Sequence, residues 1–162
     1  MMEWKDLPVV EMTLADCIYV CTNMRKEDYL ETSSLTFDKT RDAMARGIIN
    51  QGGESYTVLN KNKEPVLIGG AYYDNPNVAT IWLFATDKIT MKDWWVTTKF
   101  IEGLIERMLT NGMAHRIQAL SIGWRFNAHK WLQRIGLKNE ALLKKFSAED
   151  GFDVLIFSKV KE

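Results

Sequence analysis

"VATIWLFATDKITMKDWWVTTKFIEGLIERMLTNGMAHRIQALSIG", residues 78–123, sets two apolar stretches around one long helical pattern. "VATIWLFAT" is almost wholly apolar, which predicts a strand covered on both faces. Thr90 followed by Asp93 forms a capping-box pattern, with Asp in place of the usual Glu. Ile101, Leu104, Ile105 and Met108 then recur at helical spacing, and Asn111-Gly112 ends the run. "HRIQALSIG" follows as a second strand. A strand, a helix and a strand joined in this way close most naturally as a right-handed parallel crossover.

The flanks supply the other elements. "TLADCIYVCTNM" has helical spacing at Leu14, Cys17, Ile18 and Cys21, with Thr13 as its N-cap. "RKEDYLETSSL" is polar and charged, and "FDKTRDAMARGIINQGG" reads as a second helix from near Asp38 to Gly52-Gly53. "SYTVLN" and "PVLIGGAYYD" are strands joined by the polar "KNKE". After the crossover a short helix carries Ala128, Trp131, Leu132 and Ile135 on one face, with Asn127 as its expected cap. On that helix's first turn His129 is expected to face solvent, while Trp131 and Trp94 or Trp95 are expected to anchor the core. "LKNEALLKKF" and "DVLIFSKV" close the chain as two antiparallel strands. The order is ααβββαβαββ, an α/β (α+β) mixed sheet in a single domain over residues 1–162.

Composition narrows the function classes. Lys plus Arg and Asp plus Glu both total 21, so no overall field draws the chain to nucleic acid or anionic lipid. Cys17 and Cys21 sit on adjacent helical turns, in poor geometry for a disulfide, and read as small apolar residues. Zinc needs about four ligands, and His115 and His129 lie far along the chain, so no metal is expected. A signal peptide or membrane-length apolar run is absent from the sequence, so a cytoplasmic protein is expected.

This order resembles the GNAT superfamily of acyl-CoA-dependent N-acyltransferases, and "WLQRIGL" takes the place of the family's short helix ending in Gly-Phe. "NMRKEDYLE", "IWLFATDKI" and "WLQRIGL" are similar to a narrower branch, the small acetyltransferase-like and internal virion proteins of tailed phages. The resemblance implies that "VATIWLFAT" and "HRIQALSIG", the family's fourth and fifth strands, run parallel and splay at their C-terminal ends. It implies that acetyl-CoA lies there, held by Phe84, Ala85, Lys88, Thr90, Lys92, Arg125 and Asn127. A helix start binds phosphate through its free N–H groups, and the lysines and Arg125 would add attraction that falls with salt. Asn127 both donates and accepts, which suits an amide-bearing arm.

Arg25, Asp28 and Glu31, at i, i+3 and i+6, share one side if their segment is helical, and the resemblance puts them on the substrate side. As ordinary surface residues the same three would be a solvated ion-pair face.

The sequence departs from the family where chemistry is concentrated. Its phosphate loop, "ATDKITMKDWW", contains no glycine. Leu132 stands where many members carry a proton-donating tyrosine, and Arg125 replaces a frequent asparagine. "VATIWLFAT" offers no carboxylate as general base, so Glu54, Asp28 or Glu31 would have to serve. Two functions follow. One is an acetyl-CoA-dependent N-acetyltransferase working on an amine mainly by approximation. The other is a non-catalytic protein of the same fold that binds a host or virion protein, in the host cytoplasm or with the virion. A homodimer is compatible with both.

Overall fold

The computed structural model describes residues 6–162, which run β1 (Val9–Glu11), α1 (Leu14–Thr22), α2 (Lys26–Leu35), α3 (Arg41–Asn50), β2 (Glu54–Leu59) and β3 (Pro65–Asn75). They continue with β4 (Val78–Ala85), α4 (Met91–Thr110), β5 (Arg116–Ile122), α5 (Phe126–Arg134), β6 (Lys138–Leu143) and β7 (Val154–Val160). The strands form one sheet in the order β1-β2-β3-β4-β5-β7-β6. Among the described residues no helix is long and apolar enough to cross a membrane.

Two elements exceed the order read from the sequence. β1 is three residues long and pairs antiparallel with β2 from Val9 opposite Val58. Such a short edge strand leaves no usable period. α2 buries only Asp28 among its ten residues, so it too carries no apolar stripe. With β1 counted, β4 and β5 are the fourth and fifth strands. α3 begins later than Asp38 suggested, because the Thr40 hydroxyl accepts from the Ala43 N–H and caps it.

Helices cover both faces of the sheet. On one face α4 and α5 pack on β4 and β5, where Val96, Ile101, Leu104, Ile105 and Met108 meet Ala79, Ile81, Ile117 and Ala119. On the other, α1 and α3 bring Cys17, Val20, Cys21, Met44 and Ile48 against Ile68, Trp82 and Phe84. Both cysteines are buried and free, as small apolar residues are expected to be. Capping boxes fix the starts of α1 and α4: Thr13 with Asp16, and Thr90 with Asp93.

The expected parallel pair is present and short. β4 and β5 pair only at Val78–Arg116, Ala79–Ile117 and Thr80–Gln118, although β4 continues to Ala85 and β5 to Ile122. Beyond Thr80, β4 stays with β3 and β5 stays with β7, so the two halves of the twisted sheet diverge.

α5 corrects two expectations. The Arg125 N–H bonds to the Ile122 carbonyl and the His129 N–H to the Arg125 carbonyl, so the helix starts at Phe126. Arg125 is therefore at the cap position without a side-chain cap, and Asn127 is an exposed second residue. The earlier start also turns His129 inward. It is only 9% exposed, its Nε2 lies 3.1 Å from the Ile122 carbonyl, and its ring packs against Phe126 and Phe157.

Leu132 and Ile135 are buried as their spacing predicts, while Trp131 is half-buried. Trp131 packs edge-on against Trp94, with centroids 6.2 Å apart, and its Nε1 donates to the Thr98 hydroxyl at 2.9 Å. Truncating Leu132 to alanine should cost about 2–5 kcal/mol, as for a buried leucine that leaves a cavity. Denaturant melts would read this as a lower midpoint. An unchanged midpoint would mean that α5 does not hold the core.

Candidate functional site

Strands that separate leave N–H and C=O groups facing the gap, and these need partners. On β4 the Ala85 N–H donates to Asp28 Oδ2 at 2.9 Å, and the Ala85 carbonyl accepts from the Arg25 N–H at 2.8 Å. On β5 the Ile122 N–H donates to Glu31 Oε2 at 2.9 Å. Asp28 and Glu31 lie one turn apart on α2, so the helix spans the opening and serves both strand ends.

Two arginines complete the cluster. Arg25 grips Asp28 with two hydrogen bonds of 3.0 and 3.1 Å, and its guanidinium lies 5.0 Å from the centre of the Trp94 ring. Arg125 reaches from the α5 side to Asp28 at 3.1 Å and to Glu31 at 2.7 Å. The Asp28 side chain is fully buried, which only such a complete set of partners makes tolerable. The sequence had placed Arg25, Asp28 and Glu31 apart from Arg125. The structure joins all four.

Burial raises the Glu31 carboxyl above the ordinary glutamate range, against the pull of Arg125 and the Ile122 N–H. Arg125, which burial alone would push toward its neutral form, is held above its usual value by Glu31 and Asp28. A retained carboxylate with a raised pKa beside a cleft marks a candidate functional group.

A cleft of about 1140 Å³ passes through the gap between the strands. Tyr72, Trp82, Phe84, Leu35 and Glu27 line it on the α1–α3 side, and Met91, Trp94, Trp95, Phe126 and Trp131 on the α4–α5 side. Leu83, Ala119 and Ser121 line it between the strands. Five of the six tryptophans are on its walls, Trp124 being the fifth. Trp94 and Trp131 pack against the core as expected, and each, being half-buried, also lines the cleft. Trp82 Nε1 and Ser121 Oγ, in the same walls, are buried without a hydrogen-bond partner among the described residues.

Of the residues nominated from the sequence, Arg25, Glu31, Phe84, Arg125 and Asn127 line the cleft. Ala85 and Asp28 are buried, bonded to each other. Lys88, Thr90 and Lys92 are not on the cleft wall. Lys88 is exposed and pairs with Glu64 at 3.3 Å. At the start of α4, both the N–H and the hydroxyl of Thr90 donate to Asp93 Oδ2 at 2.9 Å, so the chain's own carboxylate holds this helix start. Glu54 pairs with Arg107 at 3.0 Å. Among the described residues no group of three or more His, Cys, Asp or Glu side chains could hold a metal.

No family model matches the sequence, and no curated protein matches it. Solved structures do match in shape. A GNAT-family acetyltransferase from Bacillus anthracis aligns with a TM-score of 0.73 at 14% identity, over 94% of this chain and 93% of that one. A ribosomal-protein-alanine N-acetyltransferase from Brucella melitensis gives 0.73 at 14% identity, over 95% and 99%. A GNAT-superfamily phosphinothricin acetyltransferase from Sinorhizobium meliloti, solved in complex with acetyl-CoA, gives 0.72 at 13% identity, over 94% and 87%. At such low identity these likenesses speak for architecture, and with its parallel β4–β5 pair the chain has the fold of the GNAT acetyltransferases.

Proposed function

We propose that the protein is an N-acetyltransferase that takes acetyl-CoA into the opening between β4 and β5 and brings it to an amine. The observation that carries this reading is the cleft itself, which joins the two faces of the sheet where the strands part. Reactants entering from opposite faces would meet between the strands, and holding them there is a large part of the catalysis of an aminolysis. The fold shared with an acetyltransferase solved with acetyl-CoA supports the same reading.

The cleft residues fit the amide and methylene arm of that coenzyme better than its diphosphate. Acetyl-CoA would supply an acetyl group activated as a thioester. Leu83, Ala119, Leu132 and Trp131 wall that region and exclude water. Asn127 presents an exposed amide at the mouth, able to donate to and accept from amides. Glu31, with its raised pKa, is the carboxylate placed to take the proton from an incoming ammonium. Leu132 has no proton to give, so positioning and Glu31 account for the chemistry this chain provides. The likeness of "NMRKEDYLE" to phage proteins supports a phage-encoded enzyme acting in host cytoplasm.

A second reading has its own observation. The start of α4 is held by Asp93 and the tyrosine position is Leu132, which favours a non-catalytic relative that binds a host or virion protein. Calorimetric titration with acetyl-CoA, followed by product analysis over a panel of amines, separates the two. Binding at millimolar or lower concentration with acetylated product supports the enzyme. Absence of both heat and a thermal shift at millimolar coenzyme removes the enzyme and leaves the binding protein.

Glu31 adds a pH signature. Its folded pKa lies above the unfolded value near 4.5, so its stabilising contribution is full below that pH and is lost as pH rises through the raised value. The melting temperature of the wild type relative to Glu31→Gln should therefore fall with rising pH across that window. A difference that stays constant would mean the carboxyl is not perturbed.

A further inference from the structure

On the reading just proposed, we infer that the cleft recognises its donor through an uncharged amide and thioester arm and gains little from phosphates. Three cations at or beside the opening already have carboxylate partners within the chain. Arg25 is held by Asp28, and Arg125 by Asp28 and Glu31. Lys88, beside the cleft rather than in it, is held by Glu64. The start of α4 would be the natural anion site, yet Asp93 is buried there and accepts from Thr90, so a diphosphate would meet a fixed carboxylate. Arg134, a wall cation with no carboxylate partner among the described residues, sits in the last turn of α5, where it complements the negative end of its own helix.

The mouth is apolar where an anion site would be basic. Met91 and Trp95 on the first turns of α4 are 83% and 44% exposed, and Phe126 at the start of α5 is 70% exposed. All three line the cleft. Methylenes and methyl groups would cover these surfaces with gain, whereas a hydrated diphosphate would have to shed water beside them. α5 carries no side-chain cap, so its first N–H groups can donate to an amide carbonyl of the arm.

The test is calorimetric titration of the full chain with acetyl-CoA and with S-acetyl-pantetheine, which has the thioester and both amides but no phosphate, at low and high salt. The two affinities should agree within about threefold and barely change with salt. Acetyl-CoA binding at least about tenfold tighter, with the advantage lost in salt, would overturn the inference and leave the acetyltransferase reading intact. If neither donor binds, that reading falls and takes the inference with it. Asp93→Asn keeps a capping amide and removes the charge, so it should shift preference toward acetyl-CoA by several fold. An unchanged preference in a variant that melts normally would show that Asp93 does not set it. Should the variant fail to fold, the wild-type comparison of the two donors decides alone.

Discussion

When two strands of a sheet part company, the backbone groups facing the gap must be paired or hydrated. Here the requirement falls on Ala85 of β4 and Ile122 of β5, and two carboxylates of α2 meet it. Those carboxylates in turn need cations, which Arg25 and Arg125 provide. The rest of the site depends on this sequence of demands. It seats α2, which has almost no apolar surface to bury, and it sets one wall of the cleft. A buried network of this kind contributes little net stability, because desolvating each charge offsets most of its attraction. Breaking it is another matter: removing Arg125 would leave Glu31 without its cation, at a cost of about 3–5 kcal/mol.

The start of α4 obeys the same electrostatics with the opposite consequence for ligands. A helix start attracts one anion readily, whether that anion is a ligand or a neighbouring side chain. The glycine-free segment leading into α4 gives the backbone no close approach to phosphate, and Asp93 occupies the position from within. Capping therefore secures the long helix that covers the sheet, and it does so by filling the place where a second anion would have gone. Stability of the fold thus comes with a buried negative charge beside the first N–H groups of the helix, where it opposes a phosphate.

How much of this was legible in the sequence depends on what each segment buries. α4 and the strands beside it were readable because Ile101, Leu104, Ile105 and Met108 face one core and Thr90 and Asp93 write the cap directly. β1 and α2 were not read as elements, since one is three residues long and the other buries a single aspartate. Periodicity reports apolar burial and is silent about a helix held by charge. The start of α5 was misplaced because a backbone turn closes it and Asn127 does not, and His129 was turned inward by the same shift. The candidate site was half visible. Residue types and i, i+3 spacing grouped Arg25, Asp28 and Glu31, but only the fold could bring Arg125, a hundred residues later by its position in the chain, between two of them.

Arg25 links the two walls of the cleft. Its guanidinium pairs with Asp28 on the α2 side and lies over Trp94 on the α4 side, and Trp94 packs on Trp131 of α5. Charge on α2 is thus coupled through one arginine to the aromatic wall where the donor would lie. A ligand that drew Asp28 toward itself would loosen Arg25 and free the face of Trp94. A ligand pressed against Trp94 would bear on the same guanidinium from the other side. Such coupling through a shared side chain is reciprocal by thermodynamic necessity. Whether the cleft holds two reactants or a single partner, its two ends are not independent binding surfaces.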